Sequence, residues 1–250
     1  MGHPPMTEPV WIDEIQNPKV LLVVAHPDDE TIFAGGLIIT SHNVEWTIVS
    51  GFIQSETRAC EFDDVCGFLS EISGNRINPI KLSPTSDDEP KSDKKLREEL
   101  TEFKEGYDIV ITHNYGGEYN GIRWAPGNHH VRINRCVIET IAHPNTWLFI
   151  SPGSYNVREN RREFLSKHPR GNKIIKLPKD VLNLKKRALA FHKSQLYTNL
   201  HFNPEEGKFY KNHLYPTLIY NFENPGHEEF TFYDQKIFRY YRTGDPACSR

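Results

Sequence analysis

The sequence predicts an α/β fold: a mostly parallel, doubly wound sheet between helical layers. Three observations carry this. Apolar runs of strand length recur at Val20–Val24, Glu45–Ser50, Tyr107–Thr112 and Trp147–Ser151. Segments with helical spacing separate them, and such alternation favours parallel strands joined by crossovers. Two of the runs are almost wholly apolar, as strands covered on both faces should be, and each ends abruptly in polar residues.

The first of these runs organises the chain. Val20-Leu21-Leu22-Val23-Val24 leads straight into Ala25-His26-Pro27-Asp28-Asp29-Glu30. Charge at the carboxyl end of a buried strand is costly unless something cationic offsets it. His26 and Asp29 could hold a metal on a tight turn, with Pro27 fixing the backbone and Asp28 pointing elsewhere. Open α/β sheets collect ligands at such strand ends. The alternative is a plain helix cap at Asp28 or Asp29, with His26 simply ending the strand.

Around this run the remaining elements follow in order. Val10 to Asn17 is a lead-in, with Trp11 and Ile12 expected against the sheet edge. Thr31 to Ser41 is predicted helical, and Gly35-Gly36 lets that helix approach a neighbour closely. Glu45 to Ser50 is the second strand. Ser55 opens an amphipathic helix with Val65, Phe68, Leu69 and Ile72 on its apolar stripe, and Gly74 ends it. Ile80-Lys81-Leu82 reads as a short strand and Ser83 to Asp93 as a loop. Lys94 to Phe103 is predicted as a surface helix buried along Leu96, Leu100 and Phe103. Tyr107 to Asn114 repeats the pattern of a buried strand with a polar exit, which should lie beside the first strand. Tyr115 to Asn128 reads as a loop, Val131 to Ala142 as a helix and Trp147 to Ser151 as a strand. Val157 to Arg170 is basic and without pattern. Asp180 to Leu196 is a helix with Leu184, Leu189 and Phe191 apolar. Phe230–Tyr233 and Ile237–Tyr241 are expected to close the chain as a hairpin.

With 250 residues and 37% hydrophobic content, the chain can bury a full core. Met1 to Pro5, ahead of Met6, reads as a cloning remnant, and residues 6–250 as a single domain. A net charge of -3 gives no basic footprint for nucleic acid. No apolar run reaches membrane-spanning length and no signal peptide is evident, so a cytoplasmic location is expected. Cys60, Cys66, Cys136 and Cys248 lack paired spacing and are expected as reduced thiols.

Ala25-His26-Pro27-Asp28-Asp29-Glu30 resembles the signature of the PIG-L/LmbE-like family of zinc-dependent N-deacetylases, the N-acetylglucosaminyl-phosphatidylinositol de-N-acetylase type among them. Later stretches extend the resemblance. Gly117-Glu118-Tyr119 matches one element. It is followed by Asn120 to Gly127 as an insertion, and by Gly127-Asn128-His129-His130 where the family has a fuller histidine motif. Arg58-Ala59-Cys60-Glu61 is similar to an Arg-x-x-Glu stretch. Lys185-Lys186-Arg187-Ala188-Leu189-Ala190-Phe191-His192-Lys193-Ser194-Gln195 is similar to a late helix of the family.

The resemblance implies a Rossmann-like αβα sandwich whose C-terminal region, about 197–250, selects the substrate. It implies one Zn2+ per chain, with Fe2+ able to replace it, held by His26, Asp29 and a third ligand. Helix phasing favours His130 over His129. It implies Asp28 as the general base toward a metal-activated water, and Tyr119 as a donor to the tetrahedral intermediate. Arg58, Asn114, His129 and His192 are the expected substrate-binding residues, although His192 could instead buttress the site. Gly127 stands where the family has a histidine that stabilises the oxyanion, and His129 or His192 could substitute. The implied reaction removes an N-acetyl or other N-acyl group from an amino sugar or glycoconjugate. A homo-oligomer is compatible with it. The rival reading is a non-catalytic α/β binding protein with a structural metal or none. A nucleotide-binding domain fits less well, since no GxGxxG follows the first strand.

Overall fold

The computed structural model describes residues 10–83, 91–114, 129–150, 173–195, 202–203, 208–209 and 227–232. The predicted basic stretch at 157–170, the second hairpin arm at 237–241 and Cys248 lie outside them. Among the described residues seven strands form one sheet: β1 (Lys19–Val24), β2 (Glu45–Ser50), β3 (Arg76–Lys81), β4 (Ile109–Thr112), β5 (Thr146–Ile150), β6 (Lys173–Lys176) and β9 (His227–Phe232). Their spatial order is β3-β2-β1-β4-β5-β9-β6. β1 to β5 pair in parallel, and β9 runs antiparallel between β5 and β6. Two further short segments, β7 (Phe202–Asn203) and β8 (Lys208–Phe209), pair antiparallel. The predicted α/β sandwich is therefore present, with a mixed margin that the sequence did not indicate.

The continuous apolar run of β1 is explained by cover on both faces. Val20, Leu22 and Val24 join one core cluster, and Leu21, Val23 and Ala25 join another. The first cluster lies under α1 (Asp29–Thr40), α2 (Glu56–Ser73) and α5 (Lys179–Leu189). The second lies under α3 (Asp93–Leu100) and α4 (His129–Thr140). Trp11 packs on Trp147 of β5 and Phe230 of β9, inside the sheet and not at its edge.

Local signals place the helices. Ser55 caps α2 by accepting the Arg58 N–H at 3.3 Å, and Gly74 ends it at φ 70°. Gly36 lets α1 approach its neighbours: a Cβ there would lie 2.4 Å from Leu177 Cδ2 and 3.0 Å from Glu228 Oε1. α1 begins at Asp29, two residues before the sequence reading. α4 also begins two residues early, so His129 and His130 sit on its first turn. α5 ends at Leu189, short of the predicted Leu196. Among the described residues, no helix is long and apolar enough to cross a membrane. Among the described residues Cys60, Cys66 and Cys136 are free thiols.

α4 is tied to α3 through Asp93, whose Oδ1 accepts from Arg132 Nε at 2.7 Å and whose Oδ2 pairs with Arg135. Burial pushes the Asp93 carboxyl up, but the two guanidinia outweigh it and hold the group below its usual range. A lowered folded-state pKa adds stability above the unfolded value, and that stability is lost as pH falls through the folded value. Asp93→Asn is therefore expected to cost roughly 1 kcal/mol at neutral pH, the pair being partly exposed. Chemical denaturation against pH should show the gap to the parent closing below about pH 4.

Candidate metal centre and catalytic site

The strand order reverses between β1 and β4, so their carboxyl ends flank a crevice of the kind that binds ligands in doubly wound sheets. The turn after β1 delivers His26 and Asp28, and the first residue of α1 is Asp29. The segment just after β4 delivers His113 and Asn114, and the first turn of α4 delivers His129 and His130.

Asp29 is fully buried at the centre. Its Oδ2 accepts the His26 N–H at 2.9 Å. The same oxygen lies 3.4 Å from His26 Nδ1 and 3.5 Å from His130 Nε2. Burial pushes the Asp29 carboxyl up, but the imidazoles of His130, His113 and His26 outweigh it and hold the group well below its usual range. His26 is pushed down to about 4, chiefly by burial, with Asp29 opposing. The histidine is thus neutral and the aspartate ionised, the states a metal needs in its ligands. His26, Asp29 and His130 form a group that could hold a metal ion, with ligand atoms within 4.8 Å of one another. Bonds of ~2 Å in a tetrahedral set require ligand atoms roughly 3.3 Å apart, close to the Asp29 spacings. The donor set fits a catalytic metal.

Asp28 stands beside this group. It occupies the N-cap position of α1, but its side chain makes no capping hydrogen bond. Its Oδ2 instead lies 3.5 Å from Arg58 Nη2. Burial first, and then the charge of Asp29, raise the Asp28 carboxyl to about 7, with Arg58 opposing. Arg58 is buried, not on the helix surface. It donates to the Pro27 carbonyl at 2.7 Å and to Gln54 Oε1 at 2.6 Å.

His129 stacks on Phe52, with ring centroids 3.9 Å apart, and its Nδ1 is 2.8 Å from His26 Nε2. Burial, followed by the charge of Arg132, pushes it down to about 4. His192 is buried, with Nε2 3.0 Å from Glu30 Oε1. Burial pushes the His192 imidazole down and the Glu30 carboxyl up, but mutual attraction outweighs both effects. Asn114 is half-buried beside His113. Tyr119 and the Asn120–Gly127 insertion lie outside the described residues.

Sequence reasoning missed His113. This residue is fully buried, its ring centroid lies 4.0 Å from that of His130, and its Nε2 accepts the Ala25 N–H at 2.8 Å. The same nitrogen lies 3.5 Å from Asp29 Oδ2. Asn134, one turn beyond His130, donates to the His113 carbonyl at 2.6 Å and locks α4 to the end of β4. The available signal was the repeated pattern of a buried strand running into histidine, as at His26.

Three deacetylases of known structure share this arrangement of strands and helices. N,N'-diacetylchitobiose deacetylase from Pyrococcus horikoshii superposes with a TM-score of 0.52 and 21% identity, over 92% of this chain and 90% of that one. The A40926 pseudoaglycone deacetylase gives 0.53 and 11%, over 87% and 97%. A deacetylase of the teicoplanin biosynthesis pathway gives 0.50 and 11%, over 87% and 99%. The chain has the fold of these deacetylases. No protein-family model matches the chain, and no curated protein does. At these identities the likeness is one of fold, and the chemistry rests on the chain's own residues.

Proposed function

We propose that this chain is a metal-dependent hydrolase of the LmbE/PIG-L type, removing an N-acetyl or related N-acyl group from an amino sugar or glycoconjugate. The observation that carries the reading is the buried His26–Asp29–His130 group with Asp28 beside it, at the strand-order reversal of a deacetylase fold. Zinc suits two imidazoles and a carboxylate, and Fe2+ can take its place. Bound there, the metal would polarise the amide carbonyl and acidify a water molecule.

The chain's own groups then divide the work. Asp28 takes the proton from the attacking water. Its proton affinity near neutrality suits a base that later returns a proton to the leaving amine. Arg58 fixes the Pro27–Asp28 turn. With Nδ1 of His26 facing Asp29, its Nε2–H donates to His129 Nδ1, which leaves His129 Nε2–H to donate to the substrate carbonyl. His129 thereby takes the role for which Gly127 offers no side chain. In this reading Asn114, just after β4, binds the substrate, Tyr119 donates to the tetrahedral intermediate, and residues after 197 select the sugar.

The reading is tested by amine release from a panel of N-acetylated sugars, chitobiose units and glucosamine conjugates included. The ligand assignment has its own test in metal content. His130→Ala is expected to lose the metal and all activity. His129→Ala is expected to keep one metal per chain and lose about 10²–10³-fold in kcat, as removal of one oxyanion donor does. The reverse pattern would make His129 the ligand.

A further inference from the structure

Asp28 has φ 126° and ψ −32°, a conformation that an L-residue adopts only when its surroundings impose it. The constraint is visible on both sides of the residue. Its carbonyl accepts from the Thr31 and Ile32 N–H groups at 3.1 and 2.9 Å, as a helix start requires. Its own N–H donates to Glu30 Oε2 at 3.0 Å. Glu30 therefore decides where the Asp28 peptide points.

Glu30 is fully buried, and its other oxygen, Oε1, accepts from Thr31 Oγ1 at 2.6 Å and meets His192 Nε2 at 3.0 Å. Among the described residues the second ring nitrogen of His192 makes no hydrogen bond, so the imidazole is directed at Glu30. The backbone that carries His192 is itself held. Two residues on, Ser194 donates from N and Oγ to Glu61 at 2.8 and 2.6 Å. Glu61 lies on α2 one turn after Arg58, which holds the Pro27 carbonyl. Three stretches far apart in sequence thus close into one ring around the Asp28 peptide.

We propose that His192 is a positioning residue: through Glu30 it holds the Asp28 peptide in its positive-φ conformation, and so aims the Asp28 carboxylate, without touching substrate. The catalytic consequence rests on the function proposed above, whereas the conformational claim stands on the geometry alone.

The test uses the full metal-loaded chain with His192→Leu, which removes the donor, and His192→Gln, which places an amide nitrogen near the lost Nε2. Amide hydrogen exchange is followed by NMR at Asp28 and, as a control, at Leu22 in the core of β1. His192→Leu is expected to speed Asp28 exchange at least tenfold while Leu22 stays protected. It should also lower kcat about 10–100-fold, with KM within twofold and one metal per chain. His192→Gln should recover most of both losses. Should His192→Leu not fold, His192→Asn replaces it, because its amide falls near Nδ1 and short of Glu30. Undiminished Asp28 protection in these variants, equal loss at Leu22, or no recovery with glutamine overturns the proposal. Were the parent to hydrolyse no amide, the functional reading would fall, and the exchange comparison would still decide the role of His192.

Discussion

Asp28→Asn is expected to keep its metal and slow amide hydrolysis by about 10²–10⁴-fold, the usual contribution of a general base. Asparagine preserves the side-chain shape and is among the residues that best tolerate positive φ, so the strained turn should survive. The Asp28 side chain makes no cap bond that could be lost, and the neighbouring Asp29 supplies the coordinating oxygen. The loss should therefore fall in kcat, with KM and metal content little changed. Steady-state kinetics alongside elemental analysis checks this. A variant with full metal and near-parent turnover would place the base elsewhere.

Lys185→Met is expected to have the largest effect on stability. Lys185 Nζ, almost fully buried, meets Glu228 Oε1 at 2.6 Å and the Ile32 carbonyl at 2.8 Å. The same carboxylate accepts the Gly36 and Leu37 N–H groups at 2.6 and 2.7 Å. One ion pair thus joins α5, β9 and the middle of α1. Removing the cation leaves a buried carboxylate uncompensated, a change that typically costs ~3–5 kcal/mol. For a chain of this size, that lowers Tm by roughly 10 °C. Adding Glu228→Leu should recover part of the loss, because the buried charge then disappears as well. Thermal denaturation of the parent, single and double variants measures the coupling.

How much of this was legible in the sequence follows from how local each signal is. The first strand and its exit were readable because a doubly covered strand is a continuous apolar run, and Val20 to Val24 is one. Ser55 and Gly74 marked α2 because caps are set by one side chain and one φ angle. Gly35-Gly36 signalled a close approach, but not that Leu177, Lys185 and Glu228 would fill it. Lys185 opens the stretch similar to the family's late helix, but its burial is not visible there, since it is set by a glutamate 43 residues away. The antiparallel β9 was missed as a sheet member because its neighbours, β5 and β6, precede it by long stretches of chain. In the site, the order His-Pro-Asp-Asp-Glu exposed the local pair His26 and Asp29. Helix phase favoured His130 as the third member, although the helix starts two residues earlier than its apolar pattern suggests. His113 gave only a strand-end signal, and its place against His130 depends on how β1 and β4 pair.

The most direct test of the account is a metal titration of amine release. Protein stripped by a chelator is given increasing zinc, and primary amine is measured from an N-acetylated amino sugar that the parent hydrolyses. A hydrolase that holds its metal on His26, Asp29 and His130 should show no release when stripped, a rise to the full rate at one equivalent of zinc per chain, and no rise for His130→Ala. Hydrolysis that persists without metal, or that returns equally in His130→Ala, would contradict it.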